Sequence, residues 1–435
     1  MMAQNPTRKG FKSDGIREPL TTRINGILKA YPDSTQIARE LLQNSDDARS
    51  SVQWYLLDHR HHAKLTRPNG DAKLKLFHED LEEYMGPALL AGNDSVFEAR
   101  DFKSLKNLAS SEKKDDEHKI GQMGLGFNSI YHLTDCPSFI SGDQFMVIEP
   151  HERIFNGERS QFTEGAVRGS FLEDSQGMKE FPDQLKTFSV LEDIDFTVPY
   201  NGTIFRLPLR TPMQAVDNKL SRYPRTEQEV LGMLMELKDE ALKALLFLKH
   251  VQKILIYELK EGQDTPTKLF DIDIVNSAEI GAQRSQLLDN FKHHVQSAGS
   301  LDQDAVLQCT VRPTFRMTHG DGLTTEETWQ VTTRIGNLDK SRAAMLDDSN
   351  GDVNIADHKL IPWVGIAAPI DPGVKLDVAG LFCFLPVGDI QLPFPVHING
   401  HFAVEQSRRD IWTNTEKKIK VQSSAGIESL WNAHL

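Results

Sequence analysis

The chain has 435 residues, 39% of them hydrophobic and 26% charged, which is enough for a folded core and, at about 150 residues per domain, for two or three domains. Its formal net charge of -13 argues against general electrostatic binding to nucleic acid or to an acidic membrane, since both need clustered Lys and Arg. No run is apolar for long enough to span a bilayer, the polar stretch 1–11 has no signal-peptide pattern, and Cys136, Cys309 and Cys383 fit neither a disulfide framework nor a metal motif, so a reduced, cytoplasmic setting is expected.

Residues 1–14 read as a loose leader. From Leu20 to Ala48 the pattern is helical, and Asp33, three residues before Gln36, suggests a capping box for a helix starting near Ser34. Residues 52–57 read as a strand and 59–71 as a polar loop with a Pro68-Asn69-Gly70 turn. The His59-Arg60-His61-His62 cluster is expected to be solvated rather than metal-binding. Consecutive loop residues point in different directions, and no acidic or cysteine partner stands at ligand spacing. Residues 100–119 are a polar run ending in the charged stretch Glu112-Lys113-Lys114-Asp115-Asp116-Glu117, a solvated surface. A glycine-rich stretch at 121–127 follows, with a helix expected to begin near Asn128. Strands are expected at 145–148 and 203–209.

The proline-containing polar stretch 210–224 suggests a domain boundary. Beyond it, 228–250 is helical and 253–259 a strand. Further strands are expected at 306–315, 328–335, 361–367, 381–387 and 395–404, giving a second α/β domain. No internal repeat is visible. Residues 427–435 look like a helix stopped in mid-pattern, as if the chain were a piece of something longer.

Three short segments bear on chemistry. In 39–48, Glu40, Asn44 and Asp47 stand at i, i+4 and i+7 and share a helix face, while Leu41 and Leu42 lie off it as anchors. A carboxylate, an amide and a carboxylate on one stripe suit a hydrated magnesium ion and an attacking water, although a plain solvated helix face has the same pattern. In Gly121-Gln122-Met123-Gly124-Leu125-Gly126-Phe127, the glycines allow backbone N–H groups to approach phosphate oxygens, with a helix start behind them. No Gly-Lys-Ser/Thr follows, so it is not a Walker A loop. Gly202-Thr203 opens a strand and is uninformative alone.

The order and spacing of all three resemble the ATP-binding domain of the GHKL superfamily, in its Hsp-ninety-type arrangement. Arg39-Glu40-Leu41 with Asn44 and Asp47-Ala48 is similar to the first motif, 121–127 to the glycine motif, and Asn201-Gly202-Thr203 to the last. The runs Glu18-Pro19-Leu20-Thr21-Thr22-Arg23-Ile24, Leu41-Leu42-Gln43-Asn44, Gly86-Pro87-Ala88-Leu89-Leu90, Asn128-Ser129-Ile130-Tyr131-His132-Leu133-Thr134-Asp135 and Val396-His397-Ile398-Asn399-Gly400-His401-Phe402 narrow the resemblance to the sacsin repeat family, over roughly residues 14–435.

The resemblance implies an α+β two-layer sandwich (the Bergerat fold) over 15–215 and a middle-like α/β domain over 216–435. It implies ATP and Mg2+ as cofactors. Glu40 would be the general base, Asn44 the magnesium ligand and Asp47 a support near the adenosine side. Gly121, Gly124 and Gly126 would face the phosphates, with Phe127 closing that motif among the nucleotide contacts. Thr203 would help recognise adenine through water, and 100–119 would be the lid. Arg408 or Arg409 would be lent to the γ-phosphate by the second domain. His132 would be structural.

The sequence departs from the superfamily at its adenine motif, Asp-x-Gly-x-Gly. Asn93-Asp94-Ser95-Val96-Phe97 lacks both glycines, and Asn93 stands for the aspartate that accepts from the adenine amine, unless the register slips to Asp94. An amide acceptor without charge loses about 1–2 kcal/mol, roughly tenfold in affinity. Two readings follow: an ATP-dependent chaperone-type module acting on client proteins, with slow hydrolysis, or a non-catalytic protein-interaction scaffold. Net acidity disfavours a DNA-linked ATPase, and no phospho-acceptor helix supports a histidine kinase. Clients and oligomeric state are not legible.

Overall fold

A computed structural model describes residues 19–30, 36–66, 73–102, 105, 126–155, 165–173, 179–296, 307–336, 361–376, 378–404, 410–411, 429 and 431–432. The helical pattern after Leu20 forms α1 (Leu20–Ala30) and α2 (Gln36–Asp47). Asp33 of the expected capping box lies outside the described residues. The apolar run that follows is β1 (Val52–Asp58). Tyr55 and Leu57 join one buried cluster, Trp54 and Leu56 a second. A strand covered on both faces has no solvent side, which is why this run is continuous rather than alternating.

The stretch after β1 departs from the expected solvated loop, because it includes α3 (His62–Thr66) and its Arg60 and His62 side chains turn toward Asp58. His62 is buried, its Nε2 2.9 Å from Asp58 Oδ2, and Arg60 donates to the same carboxylate from Nε and Nη2 at 2.8 and 3.0 Å. Burial opposes the charge on Asp58, but the hydrogen bonds from His62 and Arg60 outweigh it and hold the carboxyl well below the usual range. His59 meets Glu258 at 3.0 Å. The cluster is therefore a structural ion-pair network that pins the end of β1.

The 3-10 helix η1 (Glu79–Tyr84) leads into β2 (Ala88–Asn93). A second 3-10 helix, η2 (Gly126–His132), covers the helix start expected near Asn128. Then come β3 (Ser138–Gly142), β4 (Gln144–Ile148), β5 (Ala166–Ser170), α4 (Pro182–Lys186), β6 (Tyr200–Pro208) and α5 (Pro212–Ala215). The long helix α6 (Glu227–Phe247) opens with a capping box: Glu229 N–H donates to Thr226 Oγ1 at 3.2 Å, and Thr226 N–H to Glu229 Oε2 at 2.9 Å. After it come β7 (Lys253–Leu259), β8 (Thr267–Ile274) and α7 (Ser277–Gln296).

The remaining strands are β9 (Leu307–Val311), β10 (Thr314–His319), β11 (Thr324–Ile335), β12 (Trp363–Pro369), β13 (Ala379–Cys383), β14 (Leu385–Leu392) and β15 (His397–Gly400). The single strand expected at 306–315 is two, broken at Arg312-Pro313, since proline has no N–H to give the ladder. The strand expected at 381–387 is likewise two, interrupted at Phe384, whose φ is 64°.

The strands make one sheet in the order β5-β4-β3-β6-β2-β1-β7-β8-β10-β11-β12-β15-β13-β14, with β9 also on β11. The join lies at the centre: β7 runs parallel to β1, pairing Val52 with Lys253 through Asp58 with Leu259. The sheet therefore continues across residue 215. Residues of α1, α2, η2 and α6 share one buried cluster that reaches from Ile24 to Leu385. The molecule is a mixed α/β protein with helices laid over one large sheet. Among the described residues no helix is long and apolar enough to cross a membrane.

Candidate functional site

The C-terminal half of α2 forms one wall of a cleft of about 820 Å³, with Leu41, Asn44, Asp46, Asp47 and Arg49 along it. Asn93, Ser95 and Phe97 line it from the end of β2, and Phe127 and Phe205 are also in its lining. The opposite wall comes from the later half of the chain: Lys249 and His250 after α6, and Ser285, Leu288 and Asp289 on α7. The resemblance assigned that contribution to Arg408 and Arg409, which lie outside the described residues. Sequence reasoning missed Lys249, His250 and the whole of α7. The helix is mostly polar, with Ile280 and Leu287 its buried apolar residues among those described, so its periodic signal is thin.

Asn44 and Asp47 stand in the cleft wall, while Glu40, one turn before Asn44, is buried against the glycine motif. Gln36 Nε2 donates to Glu40 Oε1 at 2.9 Å. A Cβ on Gly126 would stand 1.9 Å from Glu40 Oε2, so glycine at this position leaves the space the carboxylate occupies. Leu41, expected to be only an anchor, also lines the cleft. Gly121 and Gly124 lie outside the described residues, as does most of the expected lid, of which Arg100, Asp101 and Leu105 line the cleft. The Phe127 ring packs 5.3 Å from Phe205, and Phe97 and Phe139 complete an aromatic cluster with centroids 5.2–6.0 Å apart.

At the β2 end the polar groups are already engaged. Asn93 Nδ2 donates to Ser45 Oγ at 2.9 Å, and Asn93 Oδ1 accepts from Ser95 N–H at 3.0 Å. One lone pair of that oxygen is thus used inside the chain. Asp94, offered as a substitute acceptor, is not in the cleft lining. Its carboxylate accepts from Ser51 N–H at 2.8 Å, from Val52 N–H at 3.2 Å and from both serine hydroxyls. Partial burial would raise its pKa, but these bonds outweigh burial and hold it below the usual carboxylate range. Asp94 therefore ties down the turn between α2 and β1. Thr203 is fully buried behind Ser95, donating to Ser95 O at 2.7 Å with Ser141 Oγ also at 2.7 Å. Gly202 is needed for that pairing, because a Cβ there would meet Asn93 O at 2.4 Å.

Two neighbours on α2 divide the electrostatics. Asp46 is buried and accepts three backbone N–H groups, from Lys249 at 3.1 Å, His250 at 2.6 Å and Val251 at 3.0 Å. Asp47 sits at the rim with Lys249 Nζ 3.3 Å away, and that ammonium also lies 4.9 Å from the centroid of the Phe384 ring. Burial pulls His250 below the ordinary histidine range, and the nearby charge of Asp46 opposes this. Helix α2 ends with Ser50 N–H bonded to Ser45 O at 2.9 Å, and Arg49 before it has φ 63°, the left-handed position that usually takes glycine. Among the described residues no group of three or more His, Cys, Asp or Glu side chains converges to hold a metal alone.

A mixed α/β chain that joins a helix-lined polar cleft to a continuous sheet is the class the geometry defines. Residues 17–271 match the Sacsin domain family, and the chain belongs to that family. It is 31% identical to human sacsin over 425 residues, 97% of this chain and 8% of the length of that protein. Among solved structures it matches the N-terminal domain of a DNA repair protein, at 9% identity and a TM-score of 0.36 over 95% of this chain and 96% of the other.

Proposed function

We propose that the chain is an ATP-binding, slowly hydrolysing, chaperone-type module of a sacsin-related protein, with a GHKL-type nucleotide site in the α2 cleft. One observation carries this reading: Asn44 lines a cleft of nucleotide size while Glu40, one turn back, lies against Gly126 of the glycine motif. The residues suit the ligand. Asn44 would hold magnesium, which keeps most of its waters and takes its other ligands from phosphate oxygens. Glu40 would orient or deprotonate a water. Lys249, from the far wall, would offset phosphate charge and report nucleotide to the second half. When bound, magnesium would neutralise charge developing on the transferred phosphoryl group.

A second reading, a protein-interaction scaffold with weak nucleotide binding, is favoured by the base end of the cleft. There Asn93, Asp94 and Thr203 spend their hydrogen bonds inside the chain. Calorimetric titration with Mg-ATP and Mg-ADP separates the two. The nucleotide reading expects saturable heat that falls at least tenfold in affinity with Asn44→Ala, and turnover lost with Glu40→Ala while binding persists. An absence of heat at millimolar nucleotide would leave the scaffold.

A further inference from the structure

Behind the α7 wall of the cleft lies a second, much smaller cavity of about 30 Å³, framed by Leu246, Leu287, Cys309, Val331, Trp363 and Arg284. Its lining is mainly apolar, yet it holds a guanidinium. Arg284 Nη2 donates to the last carbonyls of α6, Leu245 O at 3.4 Å and Leu246 O at 3.1 Å. Those carbonyls are the negative end of the helix dipole, about half a charge at most. Arg284 Nη1 is buried and has no hydrogen-bond partner.

No carboxylate forms an ion pair with Arg284 among the described residues. Asp46 is the acid whose charge reaches it, and that carboxylate already accepts three backbone N–H groups. Burial pulls the Arg284 guanidinium down to about 10, still charged at neutral pH. Lys249 also lines the cavity. A partly buried cation with a buried, unused donor, whose acid neighbour is already committed to three backbone N–H groups, is costly, and the usual remedy is a bound anion or water. A water needs roughly 10–15 Å³ of such space, so the cavity takes one or two waters or one monatomic ion and excludes a phosphate.

We propose that Arg284 Nη1 anchors a site for one small inorganic anion of chloride or bromide size, in a cavity that shares Lys249 and Leu288 with the wall of the nucleotide cleft. The ion completes the charge balance where α6, α7 and the sheet meet, and it stabilises the fold by mass action.

Thermal unfolding of the full chain in sodium chloride and in sodium gluconate at matched ionic strength tests this, because gluconate is too large to enter. Tm should rise with chloride to a plateau and stay flat in gluconate, and Arg284→Met should lose the chloride-dependent shift. If Arg284→Met does not fold, crystals of the unaltered chain soaked in sodium bromide decide instead. An anomalous bromine peak within hydrogen-bond reach of Arg284 Nη1 supports the site. Superimposed chloride and gluconate curves, or a bromine-free cavity holding water, overturn it.

Discussion

Asp46 and Asp47 differ by one position and have different work, which no helical-face argument separates without knowing what packs where. Asp47 meets Lys249 at the rim of the cleft, whereas Asp46 is buried and caps the backbone that enters β7. His397 shows the same dependence on context. It stacks on Trp329 at 5.5 Å and 13° between planes, accepting from Gly380 N–H through Nδ1 at 2.9 Å. Burial, with the charge of Lys243, pulls its pKa down to about 4. An unfolded histidine titrates near 6.5, so on acidification the unfolded chain takes this proton first. His397 therefore contributes stability that is fully present above about pH 6.5 and is lost as pH falls toward 4. In His397→Gln, the slope of unfolding free energy against pH over that window should be shallower by up to one proton, about 1.4 kcal/mol per pH unit. Denaturant titrations at stepped pH check it, and parallel slopes would refute the assignment.

At the scale of elements, the end of α2 carries a cost. Arg49 occupies a left-handed position, with Arg49 N–H bonded to Asp46 O at 3.0 Å, where glycine avoids the Cβ penalty. Arg49→Gly is expected to stabilise the chain by about 1 kcal/mol, read as a rise in the denaturation midpoint with an unchanged m-value. Its side chain lines the cleft, so the same substitution removes a positive charge from the proposed ligand's surroundings. The segment after β2 is unlike the glycine-containing pattern it resembles: Phe97 fills the aromatic cluster and Ser95 Oγ donates to Ala48 O at 2.6 Å. These contacts make the base end of the cleft well packed.

For the whole molecule, the pairing of β1 with β7 and the bonds from residues 249–251 to Asp46 join the two halves of the sheet. Asp46→Ala leaves three backbone donors without their acceptor, at about 1–3 kcal/mol for each group that stays buried and unpaired. The expected result is a loss of at least 3 kcal/mol in a single unfolding transition, because the sheet and its main core cluster cross the join. Two separated transitions in Asp46→Ala would mean that the halves unfold independently and that residues near 215 form a true boundary. Nucleotide titration of the same variant would show whether the far wall depends on that link.

The sequence by itself determined the local elements and the proposed site's order along the chain. The apolar runs of β1 and β7 and the spacing of Glu40, Asn44 and Asp47 on α2 are written in consecutive or near-consecutive residues, and short-range physics reads them. Tertiary structure decided which groups remain available. It committed Asn93, Asp94 and Thr203 to partners in the chain, turned His62 inward onto Asp58, broke two expected strands, and brought Lys249 and α7 across from the later half. Hydrogen bonds and charge pairs between residues as far apart as Asp46 and Val251 leave no periodic trace, since their energy depends on distance in space and not along the chain.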